Sequence, residues 1–229
     1  MSPQIPGRIT RTVELFVDVS CPWCHGGLAT VRRVLDELAA EPAIPAIAVG
    51  WRFIRLHDLE PPEGYPAAEQ WERYGMNPEQ GTAAEAELAA YLASVGIGMD
   101  SSRYSFIHNP LTAHRLLAMV RDDAATDTPD MWSLTRAVWT ANFVRGTVMD
   151  DVAALRAALV DLGMAIPDRI WDRMADPDDH LAEALADRQR ALDVNLDGVP
   201  RFYVDGHIIQ AWHPIEDVET GLREALIGD

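Results

Sequence analysis

The stretch Phe16–Gly27, FVDVSCPWCHGG, fixes what must happen at the start of this chain. Before it lies VELFVDV, Val13–Val19, a short run of β-branched and aromatic residues that reads as a buried strand. After it, GLATVRRVLDELAA sets Leu28, Val31, Val34, Leu35 and Leu38 at helical spacing. A strand therefore runs almost directly into a helix, with Cys21-Pro-Trp-Cys24 at the junction. Pro22 fits a first helical turn, where its missing N–H costs nothing. Ile47–Leu56, IAVGWRFIRL, is a second strand candidate. The helix between the two is the length of crossover that parallel pairing needs.

The pattern then changes. Residues 57–81 are rich in Pro, Gly and Glu and read as a long connection with at most one short helix. From Thr82 to Asn195 the pattern is almost wholly helical. Asn109 is placed as a helix cap with Pro110 in the first turn, and Gly96, Gly146 and Gly163 as helix stops. Strand character returns in VPRFYVDGHIIQAW, whose Asp205-Gly206 pair predicts a hairpin. A last helix, PIEDVETGLREAL, follows. The order is β-α-β, many helices, β-β-α. This predicts an α/β fold in which residues 1–60 and 196–229 form one discontinuous domain, interrupted by an all-helical insertion over 61–195.

Bulk properties narrow the function. With 19 Lys and Arg against 36 Asp and Glu, the net charge is −17. Such a surface repels phosphate backbones and anionic membranes, so neither nucleic acid nor membrane is an expected partner. The N-terminus lacks the apolar segment of a secretory signal, and Met1 argues against a removed one. The expected location is the cytoplasm, where a Cys-x-x-Cys pair is more often catalytic or metal-binding than structural.

Cysteines spaced i, i+3 on a first helical turn can meet the separation a disulfide requires. The ring they close is too small to add much chain-entropy stabilisation. Cys21, near the helix cap, faces unpaired N–H groups and the positive end of the helix dipole, which favour a thiolate. The turn is expected to expose Cys21, and Cys24 to be more buried. Cys21 then attacks to form a mixed disulfide, and Cys24 resolves it. Zinc would need further ligands, and neither a second Cys-x-x-Cys nor a His pair of the usual spacing occurs, so no metal and no tightly bound cofactor is expected.

The segments VELFVDVSCPWC, VGWRFIRL, IHNPLTAHRLL, VRGTVMDDVAALRAALVDLGM and DGVPRFYVDG resemble, in family order, the DsbA-like branch of the thioredoxin superfamily, in its cytosolic, FrnE-like form. The resemblance implies a thioredoxin-like fold with a helical insertion between the second strand and the C-terminal hairpin. It implies that Val199-Pro200 is a cis peptide lying against the cysteines, with the Val199 backbone pairing with substrate main chain. It also marks departures. Arg201 stands where an apolar residue or Thr is usual, and is assigned thiolate stabilisation, a hold on a substrate carboxylate, or simple reach to solvent. His25-Gly26-Gly27 replaces aromatic and aliphatic residues; His25 either tunes the thiols or sits on an exposed first turn. Trp212 either walls the site or joins the core. Pro22 and Trp23 set the turn and offer an apolar contact surface. Asp18 is expected to satisfy a backbone N–H, and His114, Trp132 and Trp139 to pack in the core.

The expected function is a thiol-disulfide oxidoreductase acting on a protein or small-thiol disulfide, with a low-molecular-weight thiol as a candidate redox partner. The alternatives are a kappa-class-type thiol-dependent transferase or isomerase, which typically carries Ser where Cys21 stands, and a metal-binding or chaperone-like module. Homodimerisation through the insertion is compatible with the sequence, although no apolar seam singles it out.

Overall fold

The computed structural model describes residues 10–55, 63–211 and 215–227. Trp212, His57 and Pro214 lie outside them. The frame is a four-stranded sheet in the order β2-β1-β5-β6. Strand β1 (Thr10–Val17) leads through helix α1 (Pro22–Ala39) into β2 (Ala46–Phe53), which pairs with it in parallel from Thr10↔Ala46 to Val17↔Phe53. The hairpin of β5 (Arg201–Val204) and β6 (His207–Gln210) joins β1 antiparallel, with Leu15 opposite Phe202. Its turn places Asp205 and Gly206 at positive φ, the conformation Asp-Gly hairpins favour. Alternation along β1 separates two layers. Val13, Leu15 and Val17 join the core beneath α1, whereas Phe16 packs with Ile54, Ala191 and Val194 on the other face.

Between β2 and β5 lie β3 (Tyr65–Pro66), a 3₁₀ turn (Ala67–Glu69), α2 (Gln70–Arg73), α3 (Pro78–Ser94) and β4 (Phe106–Ile107). They are followed by α4 (Leu111–Asp122), α5 (Met131–Phe143), α6 (Val152–Asp161), α7 (Asp168–Met174) and α8 (Leu181–Asp193). The chain closes with α9 (Ile215–Ile227). The result is the thioredoxin-like arrangement with a helical insertion. The insertion also carries a two-residue antiparallel ladder, Tyr65 opposite Ile107.

Two boundaries differ from the pattern reading. Helix α3 begins at Pro78, inside the stretch read as a connection, because Asn77 and Gln80 form a capping box with both hydrogen bonds at 2.9 Å. Helix α4 begins one residue late, with Pro110 at its N-cap, while the Asn109 side chain accepts from the Leu111 amide at 3.1 Å and so still satisfies one of the first N–H groups of the helix.

A buried ion network fastens the insertion to the sheet. Asp187 of α8, with its side chain 2% exposed, accepts from the Phe53 amide at 3.0 Å, from Arg121 at 2.6 Å and from Arg52 at 3.2 Å. Glu14 of β1 completes it, with Arg52 at 2.7 Å and Arg190 alongside. No described helix is long and apolar enough to cross a membrane.

Candidate active site

Helix α1 starts where the sequence requires. Cys21 is its N-cap, in extended conformation, and Pro22 is its first residue. The cap is made by backbone alone: the Cys21 amide donates to the Asp18 carbonyl at 3.2 Å, and the Cys24 amide to the Cys21 carbonyl at 3.1 Å. Both cysteines are free thiols.

Their environments diverge. Cys24 is wholly enclosed, 0% exposed, and accepts a weak hydrogen bond from the Asp18 amide at 3.5 Å. Burial pushes its thiol well above the ordinary range, and the neighbouring Cys21 sulfur adds to the rise. Cys21 is only 6% exposed, so the expectation that the turn would lay it open does not hold. Instead it sits in the lining of a cleft of about 810 Å³ between the cysteine turn and the first part of the insertion. Trp23, Val199 and Tyr104 line the same cleft. Trp23 stacks on Tyr91 of α3, ring centroids 5.4 Å apart.

The insertion holds the turn before the cysteines by its backbone. Trp139 donates its indole N–H to the Asp18 carbonyl at 3.1 Å, and Asn142 its amide to the Val19 carbonyl at 3.0 Å. The Tyr104 hydroxyl reaches the Ser20 carbonyl at 3.5 Å. His114 Nε2 lies 3.3 Å from the Val19 nitrogen and 3.2 Å from an Asp18 carboxylate oxygen. Three successive carbonyls are thus turned toward the insertion. The path from β1 to the start of α1 is set jointly by α4, α5 and the Tyr104 segment. Asp18 does accept from a backbone amide, that of Ser20 at 2.9 Å, and His114 and Trp139 are buried. Their polar atoms make the turn as well as filling the core.

The Val199-Pro200 peptide is cis. Val199 borders the cleft, and Pro200 packs on α1. That packing gives the HGG departure a physical reason. A Cβ on Gly27 would stand 2.8 Å from the Ala211 carbonyl oxygen and 3.0 Å from Pro200 Cγ. A Cβ on Gly26 would stand 2.4 Å from the Tyr91 ring. Both glycines let neighbouring segments close on the first turns of α1.

His25 does not sit on an exposed first turn. It is 3% exposed, between α1 and α5, with its ring centroid 6.0 Å from those of Trp139 and Phe143. Burial, with Arg136 nearby, lowers it to about 4, so it is neutral at physiological pH. Its Nδ1 is buried with no hydrogen-bond partner. Arg201 reaches the Pro200 carbonyl at 3.4 Å and Asp197 at 3.8 Å. Among the described residues, no cluster of three or more His, Cys, Asp or Glu side chains could hold a metal ion.

The pattern reading passed over the far wall of the cleft. Trp71, Tyr74 and Met76 line it, and Tyr74 and Met76 are 42% and 38% exposed. The signal was present: three large apolar side chains in QWERYGM, within a stretch otherwise too polar to form core.

Residues 12–225 match the model of the DSBA-like thioredoxin domain family. The fold is also similar to solved structures. A "probable DsbA oxidoreductase" from Streptomyces coelicolor superposes with a TM-score of 0.79 at 26% identity, over 94% of this chain and 89% of that one. The cytosolic disulfide reductase DsbM from Pseudomonas aeruginosa, solved with GSH, gives 0.60 at 14% identity, over 93% and 100%. A 2-hydroxychromene-2-carboxylate isomerase gives 0.62 at 11% identity, over 93% and 94%. The last two likenesses concern the fold alone. No curated protein matches the sequence.

Proposed function

Because this chain belongs to the DSBA-like thioredoxin domain family, whose members are thiol-disulfide oxidoreductases, we propose that it exchanges disulfides through Cys21 and Cys24. The observation that carries the reading is the asymmetry of the pair. One sulfur borders a cleft at a helix N-terminus; the other is sealed beneath it with its thiol raised by burial.

The Cys21 thiolate attacks one sulfur of a substrate disulfide, forming a Cys21–substrate disulfide and expelling the other half as a thiolate. Cys21 stands at the N-cap of α1 and borders the cleft by which the substrate disulfide arrives. Cys24 then loses its proton and attacks Cys21, closing the Cys21–Cys24 disulfide and releasing the second half. Two electrons pass from the protein dithiol to the substrate, and the reverse sequence oxidises a dithiol. The couple itself carries the electrons, with no tightly bound cofactor. Trp23 and Val199, both on the cleft, meet the substrate, and Pro200 backs the turn of α1. A reducing cytoplasm is the setting in which disulfide reduction suits this chemistry.

The roles are tested by trapping. A Cys24→Ser variant incubated with cell extract is expected to hold substrates covalently through Cys21, because the resolving thiol is gone. Mass spectrometry of the thiol-sensitive adducts names those substrates. Equal adduct yields from Cys24→Ser and Cys21→Ser would sink the assignment of attacking and resolving cysteine.

A further inference from the structure

The walls of the cleft at Cys21 differ sharply in character from the protein surface. Trp23, Tyr65, Trp71, Tyr74, Met76 and Met99 give it aromatic and thioether faces. Glu85 stands among them, with its carboxylate accepting the Trp71 indole N–H at 2.8 Å. Among the described residues, no Arg or His lines the cleft. Arg73, stacked 4.1 Å over the Tyr65 ring and paired with Glu69 at 3.1 Å, is outside the lining. The whole chain adds a net charge of −17.

A substrate carboxylate entering here would lose hydration with no lining cation to replace it, and would meet the charge of Glu85. A large apolar side chain would gain by burial against rings and methionine. The volume, about 810 Å³, lies within the range of sites that enclose small ligands.

We propose that this cleft is a specificity site: it selects peptide disulfides whose half-cystine is flanked by a large aromatic or aliphatic residue without a nearby carboxylate, and it discriminates against anionic glutathione disulfide. The inference rests on the oxidoreductase reading above. The exchange is the one already written, with the peptide disulfide as oxidant, the protein dithiol as reductant and two peptide thiols released.

The test uses the pre-reduced protein in single turnover, so that no outside reductant enters. Three disulfide probes are compared: the dimer of N-acetyl-Cys-Phe-amide, the dimer of N-acetyl-Cys-Gly-amide, and glutathione disulfide. The Phe probe is expected to react about tenfold or more faster than the Gly probe. Glutathione disulfide is expected to be the slowest, with part of its deficit relieved by salt. Tyr74→Ala and Met76→Ala, both at exposed rim positions, should shrink the Phe preference severalfold. Glu85→Gln should raise the glutathione rate relative to the Gly probe. Equal rates for all three probes above the Cys21→Ser background, or glutathione disulfide as the fastest, would overturn the specificity inference and leave the oxidoreductase reading standing. Rates for all three at the Cys21→Ser background would overturn both.

Discussion

Replacing Cys21 with Ser is expected to abolish disulfide reduction, by at least on the order of 10³-fold, since removing a nucleophile has cost other enzymes up to roughly 10⁶. Replacing Cys24 should act differently. The first attack persists, and a burst of one leaving thiol per protein appears, but turnover stops because nothing displaces the second half. The wild-type second step should carry a pH signature of its own. Burial raises the Cys24 thiol. At a given pH less of Cys24 is thiolate, so ring closure is slow at low pH and accelerates about tenfold per pH unit until Cys24 titrates. Rapid mixing with a chromogenic disulfide, followed by acid quench at several pH values, measures both steps. A pH-independent closing step would show that Cys24 is not the buried, proton-bearing thiol described here.

The second large effect lies on the other face of the sheet. Asp187→Ala would leave the Phe53 amide without its acceptor and Arg121 without its buried partner. Breaking a buried pair from one side costs about 3 kcal/mol or more. In a chain of this size that is roughly 6–12 °C in melting temperature. Asp187→Asn keeps an acceptor for the amide and should lose less. Glu14 gives the same network an acid limit. Burial alone would raise its carboxyl, but the hydrogen bonds from Arg190 and Arg52 outweigh it and hold the group below its ordinary value of 4.5. The folded state therefore binds fewer protons than the unfolded one over that interval. The stability this supplies is full above about pH 4.5 and is lost as pH falls through the lower, folded value. Thermal unfolding across pH 3–7 reads both effects, and an Asp187→Ala melting temperature within a degree of wild type would remove the network from the account.

The frame of the fold was legible because its signals are local. Val13–Val19 carries β-branched alternation, α1 carries apolar residues at helical spacing, and Asp205-Gly206 is turn chemistry. The junction of β1 with α1 follows from those two patterns meeting at Pro22. What escaped the sequence depends on tertiary contact. Cys21 lines a cleft whose other walls come from more than forty residues away in the chain, at Tyr65–Met76 and Tyr104. His25 reads as polar and is buried, because α5 brings Trp139 and Phe143 against its ring. Gly26 and Gly27 look like a loss of helix propensity until Tyr91, Pro200 and the Ala211 carbonyl are in place. Asn142 carries no motif at all; its role as a donor to the Val19 carbonyl exists only once α5 lies beside the cysteine turn. Asn77 and Gln80 are different, since their capping box was present in the sequence and marks the true start of α3.

The central claim is that Cys21 and Cys24 form one reversible two-electron couple, and alkylation after redox equilibration tests it most directly. The protein is brought to equilibrium with graded ratios of reduced to oxidised dithiothreitol, quenched in acid, alkylated and weighed intact. The account predicts a single transition between chains carrying two labels and chains carrying none, reversible on adding reductant, and absent in either single Cys→Ser variant. Two freely alkylated thiols at every ratio, or a population stalled at one label in the wild type, would contradict it.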